Sequence, residues 1–70
     1  MTTRFTKHAR DQMVARKITE AEVESTLTAY HTLYQDRKGN DIYIGHPDGR
    51  RIKVVIAKGS NPRLVITTGD

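Results

Sequence analysis

The spacing of apolar residues changes near His31, and this change constrains the fold more than any other feature of the sequence. Before it, apolar residues recur at helical spacing. After it, they alternate at a spacing of two, the period of a strand with one buried face. A chain of 70 residues is long enough for one domain only. The pattern therefore predicts a single α+β domain over residues 1–70.

The first part of the chain predicts two helices joined by a tight connection. Thr6 is placed to cap a helix over Lys7–Lys17. Thr19 and Glu22 have the spacing of a capping box, so a second helix starts there and ends near residue 29 or 30. Its buried face is expected to carry Val23, Leu27 and Tyr30.

The second part predicts four antiparallel strands, because turn sequences rich in glycine, proline and polar residues separate its apolar segments. Short connections favour a meander with both helices packed on one face. A minor strand over Thr3–Phe5 is compatible with the pattern. The main strands are expected over Leu33–Gln35, Ile42–Gly45, Arg51–Lys58 and Leu64–Thr67.

Alternation within the strands predicts which side chains meet the helices. The helix-facing set is expected to be Ile42, Ile44, Ile52, Val54, Ile56, Leu64 and Ile66, and Tyr34 is also expected in the core. The opposite face is expected to carry Tyr43, Lys53, Val55 and Thr67. No predicted element covers that face, so a ligand or partner is expected there.

The distribution of charge favours a polyanionic partner. The net charge is +4, and the segment from Gly49 to Thr68 has no acidic residue, although five cations fall in it. Such a region attracts nucleic acid, although it is also compatible with a charged solubilising surface. The chain has no cysteine, no apolar run of membrane-spanning length and no signal-like N-terminus, which predicts a cytoplasmic protein without a membrane partner.

A polar line on the first predicted helix is the main candidate for chemistry. His8, Gln12 and Arg16 recur every four residues beside the apolar residues of the same helix. One interpretation is a polar network that docks the helix on the sheet. The other is an anion site, in which His8 moves a proton and Arg16 holds a phosphate.

A second candidate is the basic strand face. Arg51 and Lys53 alternate onto one face, with Tyr43 expected beside them, and cations interleaved with an aromatic ring suit RNA. Arg50 and Arg63 are expected to add nucleic-acid contacts. The three histidines lack metal-ligand spacing, so neither a metal nor another cofactor is expected.

Several segments spread over nearly the whole chain form a recognisable set. They are Phe5-Thr6-Lys7-His8-Ala9, Met13, Arg16, Ile18, Thr19-Glu20-Ala21-Glu22-Val23, Tyr34-Gln35-Asp36, Arg51-Ile52-Lys53-Val54-Val55 and Val65-Ile66-Thr67. The helical segment is distinctive together with the last one. As a set, these segments resemble a small bacterial family of uncharacterised domains that is grouped with the RelE/ParE-like toxins and, more distantly, metal-independent ribonucleases of the barnase–RelE fold.

The resemblance implies a RelE-like fold and a toxin that cleaves RNA, free or on the ribosome, and that pairs with an antitoxin or other protein partner. It implies functional roles for His8, Arg16 and Thr67. A family arginine is replaced by Gln12, which removes one cation from the phosphate site. The chain also stops soon after Thr67, without the tail that many RelE-like toxins carry.

The leading hypothesis is therefore a metal-independent endoribonuclease in which an RNA 2′-hydroxyl attacks the adjacent phosphate. Its expected catalytic residues are His8, Arg16 and Lys53. Its expected nucleic-acid contacts are Arg51, Tyr43, Arg50, Arg63 and Thr67. The alternatives are a non-catalytic domain of the same fold that binds protein or RNA through its open sheet face, and a DNA-contacting regulator.

Overall fold

Two helices lie against one five-stranded sheet in the computed structural model, which describes residues 3–69. The α+β class is confirmed. The strand order is β1-β5-β4-β3-β2, so β2 to β5 form the predicted antiparallel meander. The elements are β1 (Arg4–Phe5), α1 (Lys7–Arg16), α2 (Glu20–Thr28), β2 (Thr32–Gln35), β3 (Asp41–Gly45), β4 (Ile52–Ile56) and β5 (Leu64–Gly69), with a 3₁₀ turn at Pro47–Gly49.

The sheet differs from the predicted four antiparallel strands because β1 adds a fifth strand parallel to β5. The backbone N–H of Arg4 donates to the carbonyl of Arg63 at 2.8 Å, and that of Thr6 donates to the carbonyl of Val65 at 3.0 Å. A strand of two residues is too short to show alternation in its sequence. The sequence therefore pointed only to a minor strand, and its parallel direction was not predicted.

The helix ends follow the predicted caps closely. Thr6 Oγ1 accepts a hydrogen bond from the backbone N–H of Ala9 at 3.0 Å. In the capping box, the Glu22 N–H donates to Thr19 Oγ1 at 3.1 Å, and the Thr19 N–H donates to Glu22 Oε1 at 2.9 Å. Helix α1 ends at Arg16, one residue earlier than predicted, because Lys17 takes the left-handed conformation with φ 55°.

The predicted helix-facing side was correct for β4 and wrong for β3 and β5. Tyr43, which pairs with Val54, packs into the core with the helices, and so does Val65. Ile42 and Ile44 lie on the opposite face instead. The main core consists of Ala9, Met13, Ile18, Val23, Leu27, Tyr43, Ile52, Val54, Ile56 and Val65, with Phe5 packed against it.

A β-bulge in β5 explains part of this difference. Ile56 pairs with Val65, but the preceding residue of β4, Val55, pairs with Thr67, so β5 has one extra residue at this point. An extra residue reverses the alternation of side chains beyond it. The bulge places Ile66 in a second apolar cluster with Val55, on the face away from the helices.

Helix α2 packs directly on Gly45 of β3. A side-chain carbon at Gly45 would lie 3.4 Å from Thr26 Cγ2 and 3.5 Å from the carbonyl oxygen of Ala29. These are van der Waals distances, so this position of β3 faces the helix. Since Gly45 faces α2, Tyr43 two residues earlier faces the helices as well.

The turn between β2 and β3 is organised by Asp36. Its Oδ1 accepts hydrogen bonds from the backbone N–H groups of Lys38 and Asn40, both at 2.9 Å, and its Oδ2 accepts one from Asn40 Nδ2 at 3.1 Å. Desolvation opposes the charged form, but the hydrogen bonds from Asn40, Lys38 and Gly39 outweigh it and lower the pKa of Asp36.

Acidification is expected to remove this contribution to stability. Because the pKa of Asp36 is lower in the folded chain, the contribution is present above the ordinary aspartate value of about 3.9 and disappears as the pH falls through the folded value. The stability difference between the wild type and Asp36→Asn, measured by urea unfolding, should therefore be larger at pH 6 than at pH 3. An equal difference at both pH values would contradict this role.

Candidate active site

His8 lies in the first turn of α1 with its side chain exposed to solvent. Its Nε2 is 3.3 Å from Oγ1 of Thr67 on β5. This contact arises because β1 pairs only with the first two residues of β5, and α1 packs against that strand. Thr6 fixes the start of the helix, since its hydroxyl donates to the carbonyl of Ile66 at 3.3 Å. His8 is thus held at the edge of the sheet while remaining accessible.

Lys53 lies on β4, the strand next to Thr67. Thr67 pairs with Val55, and Lys53 pairs with Gly69, so Lys53 and Thr67 are diagonal neighbours on the face away from the helices. Diagonal neighbours lie about 7–8 Å apart, which is within reach of a lysine side chain. Thr67 thus contacts His8 through its hydroxyl and shares a face of the sheet with Lys53.

Arg16 lies farther along the helix. It is eight residues from His8, which corresponds to about 12 Å along the axis. Its Nε donates to Gln12 Oε1 at 3.2 Å, so the amide that replaces the expected family arginine is engaged with Arg16. The polar line of α1 is therefore an extended strip with His8 at one end and Arg16 at the other.

Arg50 has a different environment from its basic neighbours. Its guanidinium donates to the backbone carbonyls of Arg16 and Lys17, the latter at 3.1 Å. These carbonyls lie at the C-terminus of α1, where a cation is favourable. Arg50 thus ties the segment before β4 to the end of α1, whereas Arg51 next to it is exposed.

Tyr43 and Arg63 lie away from Lys53. Tyr43 is only 8% exposed and faces the helices, where its ring makes an edge-on contact with Tyr30 at 5.0 Å. The guanidinium carbon of Arg63 is 5.6 Å from the centre of the Tyr43 ring. Arg63 precedes β5, whereas Lys53 pairs with the last residue of that strand, so the two cations are at opposite ends. The prediction that Tyr43 shares a face with Lys53 was wrong.

Tyr34 was expected in the core, but it is 47% exposed. It lies on the face of the sheet away from the helices, on β2, two strands from Lys53. Its cross-strand partner is Ile42, which pairs in turn with Val55 and hence aligns with Thr67. Alternation in the sequence does not favour this arrangement over the other, because Ile42, Tyr43 and Ile44 are all apolar and fit either face.

Within residues 3–69, no three histidine, aspartate or glutamate side chains cluster in a way that could hold a metal ion. Neither helix in the described part of the chain combines the length and the apolar character needed to cross a membrane.

A comparison with known proteins gives one match. No curated protein and no solved structure matches the chain significantly. A family model described as a domain of unknown function (DUF4258) matches residues 5–70, which include both helices, all the strands from Phe5 onwards, and His8, Lys53 and Thr67. The chain therefore belongs to the DUF4258 family.

Proposed function

We propose that this domain is a metal-independent endoribonuclease of the RelE-like toxin type. The observation that carries the proposal is the position of His8, which is exposed and lies 3.3 Å from the hydroxyl of Thr67, a residue that shares a sheet face with Lys53. A histidine beneath the sheet could not reach a substrate. This one is open to solvent and has a hydroxyl beside it.

The proposed reaction begins when Nδ1 of His8 takes the proton of an RNA 2′-hydroxyl, while Nε2–H donates to Oγ1 of Thr67. The 2′-oxygen then attacks the adjacent phosphorus, and the bond from phosphorus to the 5′-oxygen breaks. Water supplies the proton to the departing 5′-oxygen. The Lys53 ammonium offsets the negative charge that develops on the phosphate oxygens, and Thr67 holds the imidazole in position. The products are a 2′,3′-cyclic phosphate and a 5′-hydroxyl.

The rest of the RNA is proposed to follow the basic face and edge of the sheet. Arg51 would contact a phosphate, and Arg16 would contact another at the far end of α1. Tyr34, aligned with Thr67 across the strands, offers an exposed ring on which a base can stack. A protein antitoxin that covers His8 would inhibit cleavage by excluding RNA.

Alanine at position 50 is expected to lower stability, whereas alanine at position 51 is expected to weaken RNA binding. Arg50→Ala removes the cation that binds the α1 carbonyls, so the free energy of unfolding should fall by about 1 kcal/mol. Arg51→Ala should leave stability unchanged but reduce the salt dependence of single-stranded RNA binding by about one phosphate contact. Urea unfolding and fluorescence anisotropy over a range of salt concentrations measure the two effects. Similar behaviour of both variants would contradict the assignment.

Induced expression in bacterial cells tests the proposed function. The wild type should arrest growth, and His8→Ala and Lys53→Ala should each relieve the arrest while retaining the wild-type circular dichroism spectrum. Normal growth with abundant folded wild-type protein would overturn the toxin proposal.

A second candidate function is a non-catalytic domain that binds RNA or a protein through the same surface. The observation that favours it is the same hydrogen bond between His8 and Thr67, because this contact also docks α1 on β5. In that case His8→Ala would lower stability, and purified protein would bind RNA without cutting it.

A further inference from the structure

His31 and His46 form a pair at the edge of the sheet opposite β1. His31 precedes β2, and His46 follows β3. Nε2 of His31 is 2.8 Å from Nδ1 of His46, and the ring centres are 4.8 Å apart with planes inclined by 22°. Both side chains are exposed. The proposed ribonuclease does not use either residue.

Backbone contacts hold both histidines in place. The N–H of His31 donates to the carbonyl of Ile44 at 2.9 Å, which extends the pairing of β2 with β3 by one residue. The carbonyl of His46 accepts a hydrogen bond from the N–H of Gly49 at 3.2 Å, at the 3₁₀ turn. The two rings therefore project from positions fixed by the sheet and its adjoining turn.

The ring of His31 is also oriented by a third group. Its Nδ1 is 2.8 Å from Oγ1 of Thr32. When Nδ1–H donates to this hydroxyl, the lone pair is on Nε2, the nitrogen that faces His46. A hydrogen bond to the second nitrogen of a metal-binding imidazole commonly fixes the ring in this way.

We propose that this pair is a site for a divalent transition-metal ion, Ni²⁺ or Cu²⁺. If the N–H of His46 moves to Nε2, both facing nitrogens present lone pairs, and a rotation of the two exposed rings directs both lone pairs at one ion beside the line that joins the nitrogens. With metal–nitrogen bonds of about 2.0–2.1 Å, nitrogens separated by 2.8 Å subtend roughly 84–89° at the metal. This angle suits neighbouring positions of a square-planar or octahedral ion. A tetrahedral ion would need nitrogens about 3.3 Å apart at the same bond lengths.

The remaining positions on the ion are assigned to water. Within residues 3–69, no third histidine, aspartate or glutamate joins the pair to complete a protein-only site. Two neutral imidazoles favour nickel and copper, whereas magnesium and calcium require oxygen ligands. The bound ion would connect the start of β2 to the end of β3, and it would stabilise the folded chain because the unfolded chain does not hold the two rings together.

Calorimetric titration of EDTA-treated, dialysed protein with NiCl₂ tests this proposal. The wild type should bind one ion, and His31→Gln and His46→Gln should each weaken binding at least tenfold. His8→Gln is the matched control and should bind like the wild type. MgCl₂ should give no saturable binding. Equal Ni²⁺ binding by all four proteins, or no saturable binding by the wild type, would overturn the proposal.

Spectroscopy of the wild type provides a second test that does not depend on the folding of any variant. With one equivalent of CuCl₂, the paramagnetic resonance spectrum should show coupling to two nitrogen ligands, and the imidazole NMR signals of His31 and His46 should broaden before that of His8. Broadening of His8 first, or of all three signals equally, would contradict a site at this pair. Neither result depends on ribonuclease activity.

Discussion

Replacement of His8 by alanine is expected to lower the rate of RNA cleavage by about 10²–10⁴-fold without unfolding the chain. The size of this effect is that of a lost general base. The fold should survive, because His8 is exposed and its one hydrogen bond to Thr67 is 3.3 Å long at the edge of the sheet. Cleavage of a fluorescent single-stranded RNA by purified protein measures the change.

Two controls distinguish a catalytic His8 from a structural one. Val14, on the same helix, is 80% exposed, so Val14→Ala should cleave RNA at the wild-type rate. Added imidazole should restore part of the activity of His8→Ala, because it supplies the missing base. A rate for His8→Ala within a factor of two of the wild type would contradict the proposed role.

Replacement of Ile52 by alanine is expected to destabilise the domain by about 2–5 kcal/mol. Ile52 is fully buried in the main core, opposite Gly45 in the register between β4 and β3. Because one core in a domain of this size supplies only about 3–5 kcal/mol, the variant should be partly or wholly unfolded at room temperature. Urea unfolding followed by circular dichroism measures the change.

The exposed Val14 again serves as the control. Val14→Ala should change the free energy of unfolding by less than about 0.5 kcal/mol, because little apolar surface is buried there. A loss of unfolding free energy below 1 kcal/mol for Ile52→Ala would contradict the close packing described for β4.

Local signals predicted the helices and the meander well. The capping box of Thr19 and Glu22 depends on two residues three positions apart, and its geometry follows directly from their side chains. The chain order of β2 to β5 follows from short turns such as the one organised by Asp36. These features need no information about distant parts of the chain.

Which face of each strand is turned toward the helices depends on long-range contacts, so it was only partly predicted from the sequence. Ile42, Tyr43 and Ile44 are apolar on both faces of β3, so alternation alone does not choose between the faces. In the structure α2 packs on Gly45, and this contact becomes apparent only once the helix is in place. The bulge at Ile66 likewise becomes visible only once β5 is paired with β4.

The contacts of the histidines were also not predictable from local sequence. The spacing of His8, Gln12 and Arg16 on one helix was evident in the sequence, but the contact of His8 with Thr67 joins residues 59 positions apart. His31 and His46 are separated by 15 positions and meet only because of the register between β2 and β3. The number of residues between two strands does not show which of their side chains meet in the folded sheet.

The RNA ends that the purified chain produces in the presence of EDTA distinguish the proposed reaction from other kinds of cleavage. We expect cleavage that persists in EDTA, requires His8, and leaves a 2′,3′-cyclic phosphate on one product and a 5′-hydroxyl on the other. RNA that stays intact, cleavage abolished by EDTA, or products with a 5′-phosphate would contradict the proposed reaction.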